Sequence, residues 1–159
     1  MYTQDCALIK WAMRGTKRNA TKTSQMTTNI EENKALVLRF FAAIENNRLE
    51  EFDSIVAINY DDHLPGQSPG REVLKKYFSG LHAVFKYLKL PIHAIIAEGD
   101  KVAVYNSVQG VHNGDYGSFK AKGNLVDAKA FQLYRIENGQ FAEHWEVADF
   151  ITLVTQIQA

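Results

Sequence analysis

The sequence has a single cysteine, Cys6, and only three prolines among its 159 residues. One cysteine excludes an internal disulfide, which fits a reducing compartment such as the cytoplasm. Also missing is any apolar run of the roughly 18 residues that a membrane helix needs. The sequence therefore predicts a cytoplasmic globular protein with no membrane partner.

Neither sign of charge is in excess, since 18 Lys and Arg residues stand against 18 Asp and Glu residues. Such a balance gives no indication of a nucleic-acid partner. Residues 1–30 nevertheless have five basic residues against one acid (+4), and the remainder has 13 against 17 (−4). Polar segments of this kind bury too little apolar surface to offset the conformational entropy that they would lose on folding. We expect a disordered basic leader over residues 1–30, with a transit peptide as the alternative, and one domain over residues 31–159.

Hydrophobic periodicity divides this domain into a helical first half and a strand-rich second half. Apolar residues at helical spacing predict three helices, over residues 29–46, 49–56 and 71–87. The period then changes to two and predicts four strands, over residues 90–97, 102–111, 128–136 and 141–147. Residues 58–60 are expected to be extended, and residues 150–157 to form a short helix or strand. This order is typical of an α+β fold, in which three helices pack on a curved, mainly antiparallel sheet to form a cone-shaped barrel.

The last strand pair, residues 128–149, is the most informative segment because it places His144 and Glu146 two residues apart. Side chains alternate along a strand, so both groups point to the same face. The turn at residues 137–140 allows two registers, and a slip of one residue exchanges the faces of one strand relative to the other. A two-residue Asn-Gly turn would pair Ile136 with Phe141. A three-residue loop over residues 137–139, with Gly139 left-handed, would pair Arg135 with Phe141.

We favour the three-residue loop because it separates the side chains better by character. One face is then small and polar and suits a ligand; it holds Ala130, Gln132, Tyr134, Ala142, His144 and Glu146. The other face holds Phe131, Leu133, Phe141 and Trp145, with Arg135 and Glu143 close enough to pair. An exposed aromatic strip is unusual for a monomer, so a homodimer through this outer face is expected. The alternative is that residues 151–154 of the same chain pack on this face and cover the aromatic strip.

Several segments resemble the SnoaL-like family, the polyketide-cyclase-like proteins of the nuclear transport factor 2-like superfamily. They are residues 33–41, 60–63, 96–104 and 134–140, together with Glu-His-Trp at residues 143–145. The resemblance begins at about residue 31, reaches the C-terminus and implies the cone fold. It also implies that an Asp directly after Glu-His-Trp acts as general acid/base in an aldol ring closure, assisted by a polar residue on the neighbouring strand. The matching positions are Gln132 and Glu146, and Glu146 is one methylene longer than the family's Asp.

On these grounds we predict that Glu146, His144 and Gln132 are the catalytic residues of a cofactor-free proton transfer on a small carbonyl compound. Glu146 would remove an acidic α-proton, and His144 with Gln132 would steady the developing enolate. Aldol cyclisation and double-bond isomerisation both use this step. The alternatives are a non-catalytic binder of small apolar ligands and an interaction module with a vestigial pocket.

Four further residues are predicted to contact the substrate, namely Tyr60, His63, His112 and Tyr134. His63 follows an Asp pair at the end of an extended segment and matches a histidine common in the family, whereas His112 lies at a strand end. No two histidines have the His-x-His or His-x-x-x-His spacing of a metal site, so no metal is predicted.

Overall fold

The computed structural model describes residues 29–159, so the predicted leader lies outside the described residues except for residues 29 and 30, which are helical. The helices are α1 (29–45), α2 (Phe52–Ile55), α3 (Arg71–Val84) and α4 (Phe150–Gln158), and a short 3-10 helix, Leu49–Glu51, precedes α2. The strands are β1 (Val56–Asp62), β2 (Phe85–Lys89), β3 (Ile92–Glu98), β4 (Lys101–His112), β5 (Leu125–Glu137) and β6 (Gln140–Ala148). Within this part of the chain, no helix is long and apolar enough to cross a membrane.

The six strands form one strongly curled sheet in the order β1-β6-β5-β4-β2, and β3 also pairs with β4. Strand β1 runs parallel to β6, and every other pair is antiparallel. The helices pack on this sheet, and the predicted α+β cone fold is confirmed. The inner face of the sheet faces the helices, and a ligand could be enclosed between the two.

Helix α1 packs its apolar side against the sheet. Its apolar residues recur at i, i+3, i+4 and i+7, which puts them on one face of a helix; they are Val37, Phe40, Phe41 and Ile44, all buried. The ring of Phe40 lies 4.9 Å from the ring of Phe141 on β6 and 4.9 Å from that of Phe52 on α2. Each such buried side chain stabilises the fold by about 1.5–3 kcal/mol.

The third predicted helix is too long, because α3 ends at Val84 and residues 85–89 form β2. Phe85 and Leu88 are both buried and lie three residues apart, which is helical spacing. In the structure Tyr87 has a positive φ of 56° and the pairing of β2 with β4 is irregular between Lys86 and Lys89. This irregularity lets two residues three apart reach the same side of a strand, and periodicity alone cannot distinguish it from a helix.

The turn between β5 and β6 also differs from the favoured prediction. It is a two-residue turn in which Asn138 and Gly139 both have positive φ, so Ile136 pairs with Phe141. Strand β6 then contains one extra residue, Ala142, since the next pair is Arg135 with Glu143. The three-residue loop is therefore wrong, and so are its pairs, since Arg135 lies opposite Glu143 and not Phe141. Beyond the bulge the inward and outward faces are nevertheless those that this loop predicted, because the two registers differ by two residues.

Phe141 precedes this bulge and therefore points inward, where it is fully buried against α1. Its predicted place on the outer aromatic face is wrong. Arg135 and Glu143 form the expected ion pair on the outer face. Helix α4 packs mainly on β5 and leaves Phe131 of that strand 61% exposed, so residues 151–154 do not cover the aromatic strip.

Candidate functional site

A cavity lies between the inner face of the sheet and helices α1 and α3. Its apolar wall consists mainly of Phe40, Phe41, Ile44, Leu74, Phe78 and Leu81. Its polar wall consists of Tyr60, Asp62, Gln132, Tyr134, His144 and Glu146, and residues 64–70 of the β1–α3 loop contribute to its rim. The space open to the centre of a water molecule is about 60 Å³, so a ligand larger than a few water molecules requires side chains of the lining to move.

Strands β5 and β6 supply most of the polar wall. Gln132 lies opposite Glu146, and Tyr134 lies opposite His144, as register partners in the antiparallel pair. Residues two apart on a strand share a face, so the four side chains are brought together by strand geometry alone. The structure thus places the three predicted catalytic residues and Tyr134 along one cavity, and Tyr60 of β1 joins them.

Asp62 is a cavity residue that the sequence interpretation missed. It is the register partner of His144 in the parallel pair of β1 and β6, and its Oδ1 lies 3.3 Å from Nδ1 of His144. The same oxygen accepts a hydrogen bond of 3.1 Å from the backbone N–H of Leu64. The sequence contained a signal for Asp62, because this residue lies two positions after Tyr60 in an extended segment and must therefore point to the same face.

The two carboxyl groups of the cavity have opposite electrostatic environments. Burial raises the pKa of Glu146, the charge of Asp62 raises it further, and only the charge of His144 opposes them. Burial also acts to raise the pKa of Asp62, but the hydrogen bond and charge of His144 and the Leu64 N–H outweigh it, so this pKa is lowered. Paired titratable groups whose environments separate their pKa values are typical of acid/base sites.

A chain of hydrogen bonds fixes the orientation of Gln132. The backbone carbonyl of Ser107 can only accept, so it must receive the Nδ2 group of Asn106, which leaves Oδ1 of Asn106 as an acceptor. Nε2 of Gln132 donates to that oxygen at 3.1 Å, and the hydroxyl of Tyr134 donates to Oε1 of Gln132. Burial raises the pKa of Tyr134 well above its ordinary value, and the charges of Glu146 and Asp62 add to this, so Tyr134 remains a neutral phenol.

His63 does not reach the cavity, which corrects the prediction that it contacts the substrate. Its ring stacks on Trp145 with the centroids 4.4 Å apart, and its Nε2 lies 2.9 Å from Oε2 of Glu143. Both partners lie on the outer face of β6. The reason is alternation, since His63 directly follows the inward-pointing Asp62.

His112 is also misplaced by the sequence interpretation. It is completely buried near the end of β4, where its ring packs 5.9 Å from that of Phe85, and it is not among the residues that line the cavity. Neither ring nitrogen has a hydrogen-bond partner among the described residues. Residues 29–159 also contain no group of three or more His, Cys, Asp and Glu side chains arranged to hold a metal ion.

Solved structures share this architecture. TsrD from Streptomyces laurentii superposes with a TM-score of 0.75 at 23% identity, over 80% of this chain and 95% of that one. IdmH from Streptomyces antibioticus gives a TM-score of 0.72 at 21% identity, over 80% and 99%. A SnoaL-like polyketide cyclase from Agrobacterium tumefaciens strain C58 gives 0.69 at 13% identity, over 79% and 97%. At these identities the likeness establishes the fold.

The family itself is established by sequence. No curated protein matches the chain at a significant level. The family model for the SnoaL-like polyketide cyclases, however, matches residues 35–157, which include all six strands and the whole polar wall of the cavity. The chain therefore belongs to the family of SnoaL-like polyketide cyclases.

Proposed function

We propose that this protein is a cofactor-free enzyme that transfers protons on a small, neutral carbonyl compound held in the cavity. The observation that carries this conclusion is the position of Glu146, a carboxyl group in an enclosed cavity whose pKa is raised by burial. A carboxylate with a raised pKa is a stronger base than an exposed one and is closer to the pH at which it works. Glu146 is therefore the group best suited to remove an α-proton.

The step is a simple enolisation. The carboxylate of Glu146 takes the α-proton, the C–H bond breaks, and its electron pair moves onto the carbonyl oxygen as an enolate. Donors on the polar wall stabilise the developing negative charge. The enolate can then attack a second carbonyl carbon in an aldol closure or be reprotonated elsewhere as an isomerised double bond.

The apolar wall opposite Glu146 supports this chemistry. Side chains of α1 and α3 offer a surface for the hydrocarbon part of a substrate, and they exclude water from the reacting groups. Exclusion of water strengthens the hydrogen bonds and charges within the cavity. The apolar side of the site therefore binds the carbon skeleton, and the polar side accepts and donates the protons.

The charges of the lining favour a neutral substrate. Asp62 and Glu146 are acidic, and no Lys or Arg is present among the described residues that line the cavity. A carboxylate or phosphate on the ligand would face two carboxyl groups with no cation to balance it, and like-charge juxtaposition costs several kcal/mol. An ester, ketone or phenol has no such penalty.

Membership in the family supports ring closure as the outcome of enolisation, and Glu146 matches the position of the family's acid/base Asp. The extra methylene moves the carboxyl group by about a bond length, which is enough to matter in catalysis. Proton abstraction tolerates such a shift more readily than a concerted closure, because only one atom must be reached. We therefore propose enolisation as the common step and a neutral, cyclisable ketone as the substrate class.

The test is exchange of α-protons for deuterium in a neutral probe ketone, β-tetralone, followed by NMR in D₂O. We expect the wild type to accelerate exchange and E146Q to lose about 10²-fold or more of that acceleration while still binding the probe. The matched control is E143Q, which changes a carboxylate on the outer face of the same strand. Unchanged exchange in E146Q would exclude Glu146 as the base, and probe binding without exchange in the wild type would favour the non-catalytic binder.

A further inference from the structure

His144 has an asymmetric environment that the predicted catalytic role did not anticipate. Its Nδ1 atom lies 3.3 Å from Oδ1 of Asp62 on the neighbouring strand. Its Nε2 atom is enclosed and has no hydrogen-bond partner in the described part of the chain. Buried polar atoms without partners are rare in folded proteins, and each one calls for a specific explanation.

The pairing with Asp62 determines which nitrogen of His144 carries a fixed proton. A carboxylate can only accept, so a hydrogen bond to it requires a proton on Nδ1. The lowered pKa of Asp62 means that this carboxylate is ionised at neutral pH. Nδ1 is then protonated whether the ring is neutral or charged, and Nε2 becomes the only nitrogen of His144 that can gain or lose a proton.

The other polar groups near His144 are three phenols and the carboxyl group of Glu146. Tyr134 stacks on the imidazole at 4.8 Å, and its hydroxyl donates to Gln132. Tyr60 of β1 is a buried phenol, and burial with the nearby charge of Asp62 raises its pKa. Glu146 is the proton acceptor of the proposed reaction. Tyr77 of α3 also lines the cavity, and its raised pKa makes it a neutral phenol.

We propose that Asp62 is a positioning residue that holds His144 as the Nδ1–H form, so that Nε2 of His144 is the atom that exchanges a proton with the substrate oxygen. This inference rests on the proposed function and assigns the second proton of that reaction. When Glu146 takes the α-proton, the protonated ring gives its Nε2 proton to the carbonyl oxygen, and an enol forms. The Nδ1 proton stays on the ring throughout, and the Asp62 carboxylate that accepts its hydrogen bond stabilises the positive charge of the ring before transfer. The site is restored when the enol proton returns to Nε2 and Glu146 gives its proton either to a carbon of the substrate or to the alkoxide that an aldol closure forms.

The enclosed position of Nε2 agrees with this role. A substrate oxygen that displaces neighbouring side chains from the cavity would supply the missing partner, since His144 lines the same space as Glu146. His144 and Glu146 lie on one face of β6, so His144 can contact the carbonyl oxygen of a substrate while Glu146 contacts its α-carbon.

Long-range ¹H–¹⁵N NMR of the histidine rings in the ligand-free full chain tests this directly. In the wild type at high pH, we expect His144 to be the Nδ1–H tautomer with an unprotonated Nε2. In D62N the fixed acceptor is lost, and we expect the Nε2–H tautomer to become substantially populated. The matched control is D61N, which alters the neighbouring exposed carboxylate of the same strand and should leave His144 unchanged.

The outcomes are separable from those of the β-tetralone test because no substrate is involved. An Nε2–H tautomer in the wild type would overturn the inference, even if D62N fails to fold. The same shift in D61N as in D62N would also overturn it, since the effect would then be general electrostatics. An Nδ1–H form in the wild type together with no exchange of β-tetralone would keep the positioning role and remove the proposed function.

Discussion

Gln132 on β5 lies directly opposite Glu146 on β6, because Ala142 is left out of the pairing between the two strands. Directly opposed residues have Cβ atoms about 4.5–5.5 Å apart, so an amide and a buried carboxyl share one part of the cavity wall. One N–H of the Gln132 amide is fixed by Asn106, which leaves the second N–H as a donor to a ligand or to Glu146. The register beyond Ala142 is thus the feature that assembles the site.

Insertion of one alanine between Glu143 and His144 should therefore be far more damaging than deletion of Ala142. The deletion joins Phe141 directly to Glu143, so a regular ladder can keep Gln132 opposite Glu146. The insertion moves the rest of β6 by one residue and turns His144 and Glu146 to the outer face, because a one-residue slip exchanges the faces. We expect the insertion to lower the free energy of unfolding by more than about 3 kcal/mol, a loss typical of severe core disruption, and the deletion to lower it by less. Urea denaturation of both variants checks this, and equal losses would contradict the role of the register.

Replacement of Glu146 by Gln should stabilise the protein at neutral pH. The folded pKa of Glu146 is raised by burial, so the protonated form is favoured in the folded state. The stability contributed by such a group is complete below its unfolded pKa, about 4.3, and is lost as the pH rises through the folded value. Gln has no charge to bury, so the melting temperature of E146Q should exceed that of the wild type at pH 7, and the difference should vanish near pH 4. A lower melting temperature at both pH values would contradict this.

Asp62 should show the opposite dependence. Its folded pKa is lowered because the His144 hydrogen bond and the Leu64 N–H outweigh the effect of burial. Its contribution is therefore present above the unfolded pKa of about 3.9 and lost as the pH falls through the folded value. We expect D62N to lower the free energy of unfolding by about 1.5–3 kcal/mol at pH 7, as for a hydrogen bond with a charged group. Denaturation at pH 7 and at acidic pH should show this deficit shrinking, and a constant deficit would exclude the charge as its cause.

Charge on the ligand should decide whether it binds. The described lining of the cavity offers Asp62 and Glu146 and no basic side chain. A methyl ester should therefore bind at least about tenfold more tightly than the corresponding free acid at pH 7, a difference of about 1.4 kcal/mol. Isothermal titration of such a pair of aryl keto compounds measures the ratio. Tighter binding of the acid would mean that an unseen cation completes the site.

We propose that the outer sheet face pairs with a second copy of the chain. Phe131 is 61% exposed and stacks on Tyr105 at 4.6 Å, and Val147 is 77% exposed beside it, so an apolar strip crosses several strands. F131K should dissociate a dimer that forms through this face, because a charge would be buried without a partner. Sedimentation velocity checks this, with Y87K as the control, since Tyr87 is 82% exposed on β2. A monomeric wild type would exclude the dimer.

The errors in the sequence interpretation have physical causes that can be named. His63 was placed in the cavity from a family pattern, although alternation from the inward-pointing Tyr60 assigns that direction to Asp62. His112 was placed there from its position at a strand end, but this end of β4 pairs with Phe85 of β2, whereas the residue of β4 that lies opposite Gln132 is Val104. Residues 85–87 were predicted to be helical because Phe85 continues the helical spacing of Leu81 and Val84, and only the pairing of β2 with β4 makes these residues a strand.

By itself, the sequence determined the α+β class, most of the strands and the grouping of Gln132, Tyr134, His144 and Glu146, because hydrophobic periodicity and strand alternation are local properties of the chain. It also determined the family, whose motifs lie within short segments. Only the tertiary structure decided that a bulge at Ala142 sets the register, that Phe141 points inward and that Asp62 binds His144. These features depend on which strands lie side by side, and the parallel pairing of β1 with β6 joins residues about 80 positions apart that no local pattern connects.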